Sequence, residues 1–383
     1  MKIGVIGAGP IGLLIGLKLA KLGFEVEVFE EHKEVGKPLH CAGIVSKWTL
    51  NALREEVNVS KCEILLNVLK GVRLGVINQF DEKYVSKSTK AFVLNRIRLE
   101  KLLAEEVARR GIKINLNSKV VFTDGVKLKV SGGFSKEFQY VVDAGGAKSF
   151  LKRCAGGRVL RAFQMDLKTS EFEDEVVEIW FNKRINPHFF YWVCPISSEE
   201  VRVGVAAYRR NLIKLMNYFI KRRFWNYENG KKYYGLIIVS GPTKNFLHEK
   251  VIYVGDSAGQ TKPLTGGGLC YGLIGVKKLV YAFSKGGSED FIKYYEKEWF
   301  KELSGEIKLQ LKLRRLFEKA SNDDLTDILE RLYERNMLST LIEKGDVDFY
   351  LNSIKYFPKK LFLNNLDLIF KIFTLLLKKP SKI

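Results

Sequence analysis

The chain has 383 residues, 46% of them hydrophobic, and carries 64 Lys and Arg against 43 Asp and Glu, a net charge of +21. This is an ordinary globular composition with enough apolar material for two or three connected lobes. The five cysteines are odd in number, scattered and never spaced as CxxC, which excludes a disulfide framework and a zinc site, leaves no metal expected and suits a reducing cytoplasm.

The first element begins directly after Met1 and Lys2, without the basic, apolar and small-residue progression of a signal peptide, so it is expected to belong to the mature fold. "KIGVIGAGPIGLLIGLKLAKLGFEVEVFE" reads as strand, glycine turn, amphipathic helix and a second strand ending at Glu30. In such a unit Gly7 permits the tight turn, Gly9 lets the backbone approach a pyrophosphate, and Gly12 lets the helix pack against the sheet. The helix N-terminus faces the phosphates, and an acid at Glu30 reaches ribose hydroxyls while repelling the extra phosphate of NADP. FAD and NAD both fit.

"PLHCAGIVS" follows and holds His40 and Cys41. The residues alone leave His40 as a satisfied loop histidine and Cys41 as either a small buried side chain or a thiol able to donate a proton. "VLNRIRLEKLLAEEVARRGIKI" sets Arg96 at the start of an amphipathic helix, and "YVVDAGGAKS" sets Asp143 between a strand and glycines. Taken singly, a solvated helix charge and a turn former explain these two equally well. Residues 60 to 95 and 155 to 248 alternate apolar with polar, as in "VVEIWF" and "EVRVGVAAY", the pattern of a mainly antiparallel sheet. "HFFYWVCPI" adds an aromatic strand with Phe190, Trp192 and Pro195. "VIYVGDSAGQTKPLTGGGLCYGL" then puts Asp256 after a strand and Gly266, Gly267 and Gly268 at a helix N-terminus, where backbone amides stabilise negative charge.

From about residue 286 the pattern is helical and charged, ending in "FPKKLFLNNLDLIFKIFTLLLKKPSKI". This last stretch is too short and interrupted to span a bilayer, which needs about 20 apolar residues. With lysines at 359, 360, 371, 378, 379 and 382 it suits an in-plane helix on anionic lipid, or else a helix closing the protein's own pocket.

The order of these motifs, over residues 1 to about 285, resembles the FAD-dependent group containing p-hydroxybenzoate hydroxylase, the flavin halogenases and the geranylgeranyl reductases. The resemblance implies an α/β fold: a Rossmann-type FAD-binding domain (1–60, 96–154 and 249–285), an inserted mainly antiparallel substrate sheet (61–95 and 155–248) and a helical C-terminal region (286–383). It assigns Glu30 to the adenosine ribose, Arg96 to the cofactor and Asp256 to the ribityl side of FAD. Geranylgeranyl reductases carry a Tyr-x-Trp-x-Phe-Pro element in the sheet lining their lipid pocket. Phe190, Trp192, Cys194 and Pro195 fall on it, with Phe for Tyr and Cys for the second aromatic. Many of these reductases also have a cysteine in the loop after "GxK", matched by Gly36, Lys37 and Cys41, which makes Cys41 the candidate proton donor or pocket wall.

The implied activity is saturation of carbon–carbon double bonds in a prenyl chain, carried by an isoprenoid lipid or a quinone tail. A flavin monooxygenase or halogenase of the same fold is the alternative, although a halogenase would carry a Trp-x-Trp-x-Ile-Pro element and a catalytic lysine that have no counterpart in the sequence. A basic nucleic-acid-binding flavoprotein is a further one, with no nucleic-acid module to support it. No second GxGxxG unit is evident, so electrons are expected from a ferredoxin-like carrier or from NAD(P)H acting directly in the flavin pocket. The expected location is cytoplasmic, with the tail offering peripheral contact with the membrane face.

Overall fold

A computed structural model describes residues 1–57, 61–154, 158–208, 211–286 and 289–354. The basic, apolar segment 359–383, and with it the in-plane helix expected there, lies outside the described residues. Among the described residues no helix is long and apolar enough to cross a membrane.

The N-terminal apolar run forms the strand Lys2–Ile6, central in a six-stranded sheet. Glu25–Phe29 and Lys113–Asn115 lie parallel on one side, Tyr140–Asp143 and Val251–Tyr253 on the other, and Leu247–His248 closes the edge antiparallel. The inner strands Lys2–Ile6 and Tyr140–Asp143 are mostly apolar and buried, as a parallel sheet covered on both faces requires, while Glu25–Phe29 and Lys113–Asn115 towards one edge carry charged residues. Pro10 opens the helix Pro10–Lys21, where its missing N–H costs nothing, and Leu13, Leu14, Leu17 and Leu19 bury its face in the core. The strand ends after Ile6, Phe29, Asp143 and Tyr253 thus converge on one edge, the place where open α/β sheets bind ligands.

A second sheet of seven strands runs in the order Glu228–Ile238, Val159–Lys168, Glu200–Ala207, Asn186–Pro195, Val176–Asn182, Gly71–Val76 and Phe80–Val85. Every neighbouring pair is antiparallel except Val176–Asn182 with Gly71–Val76. Successive side chains point to opposite faces, and the sheet uses both. Tyr191 stacks on Phe219 of the helix Leu212–Arg223 at 4.7 Å between centroids, while its neighbour Trp192 joins Leu160, Ala162 and Phe189 on the other face. A small sheet of Ile44–Val45, Ala91–Leu94 and Leu65–Leu69 joins the two halves.

The C-terminal region is helical as far as it is described: Glu289–Lys319, Asn322–Glu334, Met337–Lys344 and Tyr350–Ile354. Ser321 and Asp324 form a reciprocal cap that starts the second of these helices sharply after the first.

Candidate functional site

At the convergent strand ends the glycine turn takes the shape its sequence requires. Gly7 has φ of 93°, and a Cβ there would stand 2.6 Å from the Ala144 carbonyl oxygen. A Cβ on Gly12 would fall 1.9 Å from the Gly7 carbonyl oxygen, so helix and turn touch backbone to backbone. Gly9 differs: a Cβ there meets nothing within 4 Å, because this residue faces a cavity at the helix N-terminus. The buried Glu30 is held by the same turn, its Oε2 accepting from the Ala8 amide at 2.8 Å and its Oε1 from the His32 amide at 2.9 Å.

The cavity is about 2140 Å³, well above the ~300–1,000 Å³ of a pocket for one small molecule. It has room for a dinucleotide and a second ligand. Gly7, Gly9, Glu30, Cys41, Arg96, Asp256, Gly266, Gly267, Gly268, Phe190 and Trp192 all line it. Gly12 packs behind the turn, and Pro195 lies outside the lining, paired with Val201 in the sheet.

Arg96 begins the helix Arg96–Arg109, whose N-cap Asn95 accepts from the Arg98 amide at 3.0 Å. Its guanidinium is fixed by Glu100 one turn on, with contacts of 2.6 and 3.1 Å. Burial works against the Arg96 charge, but Glu100, Cys41 and Asp256 together hold its pKa above the ordinary value. Asp256 sits in the tight turn Gly255–Ala258, and burial pushes its carboxyl up to about 6, with Arg96 pulling in the opposite direction. Asp143 has the local role that its setting allows: its carboxylate accepts from the Gly145 amide at 2.8 Å and from the Ser149 hydroxyl, stabilising the turn that leads into Gly146–Arg153.

The raised Asp256 pKa has a testable consequence. Its ordinary value is about 3.9, so its contribution to folding is present in full below that pH and is lost as pH rises through about 6. The FAD-free chain should therefore lose thermal stability between these pH values. Asp256→Asn should flatten that part of the profile and melt higher than the parent at pH 7, while binding FAD more weakly.

The three consecutive glycines do more than leave a flat surface for a ring. A Cβ on Gly266 would stand 2.2 Å from Ile237 Cγ2, on Gly267 2.6 Å from Lys262 Cε, and on Gly268 2.2 Å from Asp256 Oδ1. Gly266, with φ of 77°, is fixed as glycine by its backbone as well, and a side chain at Gly267 or Gly268 would have to displace Lys262 or Asp256. Gly268 then caps the helix Leu269–Ser284 at the cavity.

Lys262 and Asp348 also line the cavity, and the sequence gives no sign that they meet. Lys262 Nζ lies 2.9 Å from Asp348 Oδ1 and donates to the Val347 carbonyl at 3.0 Å, while Asp348 Oδ2 accepts from Thr49 at 3.0 Å. Burial opposes both charges, yet each partner holds the other ionised: Lys262 lies above its usual range and Asp348 below its own.

The loop bearing Cys41 is clamped to the seven-stranded sheet from two sides. His40 Nδ1 donates to the Tyr234 carbonyl, and Arg202 Nη1 reaches the Cys41 carbonyl at 3.5 Å. Arg202 is buried and bidentate to Asp166 at 2.7 and 3.1 Å, and Tyr233 donates to the same carboxylate at 2.8 Å. His40 is thus an anchor at the protein surface. Cys41 Sγ accepts the Gly43 amide at 3.3 Å, which leaves its own hydrogen free to donate. Cys194, at the second aromatic position of the reductase motif, is fully buried and its thiol is pushed up to about 12 by that burial.

The cavity also has an apolar part to its wall. Ile179, Phe190 and Trp192 come from the sheet, and Leu309, Leu313 and Leu341 from the C-terminal helices. The Trp192 indole lies over Gly204, where a Cβ would be 2.0 Å from the ring, and its Nε1 donates to Gln164 at 3.3 Å.

Residues 1–231 match a family described as FAD binding domain, and the chain belongs to it. It is also similar to the digeranylgeranylglycerophospholipid reductase of Methanothrix thermoacetophila, 25% identical over 364 residues that cover 87% of this chain and 91% of the relative. Among solved structures, a geranylgeranyl bacteriochlorophyll reductase-like protein from Thermoplasma acidophilum shares the fold with a TM-score of 0.78 at 20% identity, covering 96% of this chain and 98% of the other. A flavin-dependent halogenase shares it less closely, with a TM-score of 0.66 at 18% identity, covering 90% and 72%. FAD suits the residues present: open space at Gly9 before a helix N-terminus, a fixed acceptor at Glu30, and a half-buried Asp256 carboxyl under the influence of Arg96.

Proposed function

We propose that the protein is an FAD-dependent reductase that saturates trisubstituted double bonds in the prenyl chains of an isoprenoid glycerophospholipid. The observation that carries this reading is one cavity lined at once by the dinucleotide turn, by Cys41, by Phe190 and Trp192 and by leucines of the C-terminal helices. Gly7, Gly9, Glu30, Arg96, Asp256 and Gly266 to Gly268 would hold FAD, which when bound supplies the hydride. An isolated alkene has no carbonyl to polarise, so the chain must exclude water, hold the double bond in place and protonate the carbon that does not receive hydride. Phe190, Trp192 and the leucines of the helices perform the first two tasks. Cys41, with its backbone fixed by Arg202 and its thiol hydrogen free, performs the third.

If Cys41 is the acid, Cys41→Ala should keep its FAD and slow alkene reduction by roughly 100-fold or more, with Cys41→Ser in between. Stopped-flow oxidation of the reduced protein by a prenyl substrate measures the step. An alanine variant within twofold of the parent would make Cys41 a wall only.

The reading as a whole is tested by reducing the protein chemically without oxygen, adding a geranylgeranylated phospholipid or a prenyl quinone, and following product masses. Successive gains of two hydrogens are expected. No gain with either substrate would sink it, and oxygen-dependent formation of a hydroxylated or halogenated product would assign the monooxygenase alternative instead.

A further inference from the structure

The helix Leu212–Arg223 buries Leu215, Met216, Phe219 and Ile220 against the seven-stranded sheet and turns Ile213, Lys214, Asn217 and Lys221 outward. Trp225 follows directly and is 91% exposed, more than any other large apolar side chain among the described residues. Its backbone amide is tied to Glu171 at 2.8 Å, so a fixed backbone presents the ring to solvent. Residues 212 to 232 contain six Lys and Arg against one Glu. Lys214, Lys221, Lys231 and Lys232 have no carboxylate partner among the described residues, and Lys214 stands in the first helical turn, where the helix dipole disfavours a cation. This same surface borders the cavity, since Leu212, Ile213, Tyr234 and Leu236 line it, with Ile213 and Tyr234 50% and 56% exposed.

We infer that this face, the outer side of Leu212–Arg223 with Trp225 and the neighbouring strand Glu228–Ile238, rests on an anionic lipid bilayer and places the cavity mouth against it. The inference rests on the lipid-substrate reading above. Tryptophan favours the level of the headgroups because its ring is apolar and its N–H polar, and the surrounding lysines match a negative leaflet. A prenyl lipid then passes from the leaflet along Ile213, Tyr234 and Leu236 into the cavity without exposing its chains to water.

The test uses the full-length, FAD-loaded protein and sedimentation with vesicles of phosphatidylglycerol and phosphatidylcholine, or of phosphatidylcholine alone. The protein should pellet with the anionic vesicles, and the double substitution Trp225→Ser with Lys221→Glu should weaken that partition roughly tenfold at unchanged FAD content. Quenching of tryptophan emission by brominated lipid should drop in the conservative variant Trp225→Phe. Failure to pellet, equal pelleting of the double variant, or quenching unchanged in Trp225→Phe would each overturn the inference; capture by a protein partner with no affinity for vesicles would do the same. Alkene reduction in detergent micelles reads the proposed activity separately, so a chain active in micelles but indifferent to vesicles refutes only this surface.

Discussion

A chain with Gly12→Ala should be purified without FAD and with a sharply lowered melting temperature. The added methyl would stand 1.9 Å from the Gly7 carbonyl oxygen, inside both backbones, so no side-chain rotation can relieve it. Either the helix Pro10–Lys21 lifts off the sheet or the turn at Gly7 opens, and both break the link between the Ala8 amide and Glu30. The cost should exceed ~4 kcal/mol, the range reserved for core clashes and broken buried networks. Flavin absorbance per protein and a thermal melt check it. Gly9→Ala is the control, since its methyl points into open space: it should fold normally and weaken FAD binding only.

Lys262→Met should destabilise the chain by ~3–5 kcal/mol, because it leaves the buried Asp348 carboxylate without its cation. Denaturant unfolding of the FAD-free protein measures this. Lys262→Met combined with Asp348→Leu should recover most of the loss, since replacing both ends of a buried pair with apolar side chains is often nearly neutral. The pH profile has a definite sign. Asp348 is held below its ordinary value, so its contribution is complete above ~3.9 and is lost as acid takes the pH through its lowered folded value. Lys262 is held above its ordinary value, so its contribution is complete below ~10.4 and is lost only in stronger base. The pair is therefore at full strength throughout the neutral range, and the variant should differ most from the parent there.

The parts of the site that the sequence announces are those made by consecutive residues. The strand, turn and helix around Gly7, Gly9 and Gly12 span a few residues and follow from local backbone geometry, as does the acid ending the next strand. Arg96 and Asp256 are legible because each lies at the start of a helical turn, Arg96 as its first residue and Asp256 as its second, after an apolar run. The alternating stretches read as an antiparallel sheet, but not which face Trp192 takes, since that depends on pairing with Glu200–Ala207 and on the slot left by Gly204. The ion pairs Lys262–Asp348, 86 residues apart, and Arg202–Asp166, 36 apart, have no local signature at all. They arise where distant elements bury charges together. The glycine triplet shows the same limit. Its position is legible, but the side chains packed over it, Ile237, Lys262 and Asp256, are not.

The parallel pairing of Val251–Tyr253 with Tyr140–Asp143 also fixes an order of events during synthesis. The chain emerges N-terminus first, and its dinucleotide turn is complete early, yet the strand leading to Asp256 comes more than 200 residues later. Between them the ribosome delivers the whole seven-stranded sheet. A nascent chain therefore holds an unfinished nucleotide sheet with a bare edge at Tyr140–Asp143 until residue 253 has appeared, and its chamber lacks a floor until Leu309, Leu313 and Leu341 follow. The lining of the cavity is therefore complete only in a nearly finished chain, so the turn that begins it at residue 7 has to wait for helical residues more than 300 positions further on.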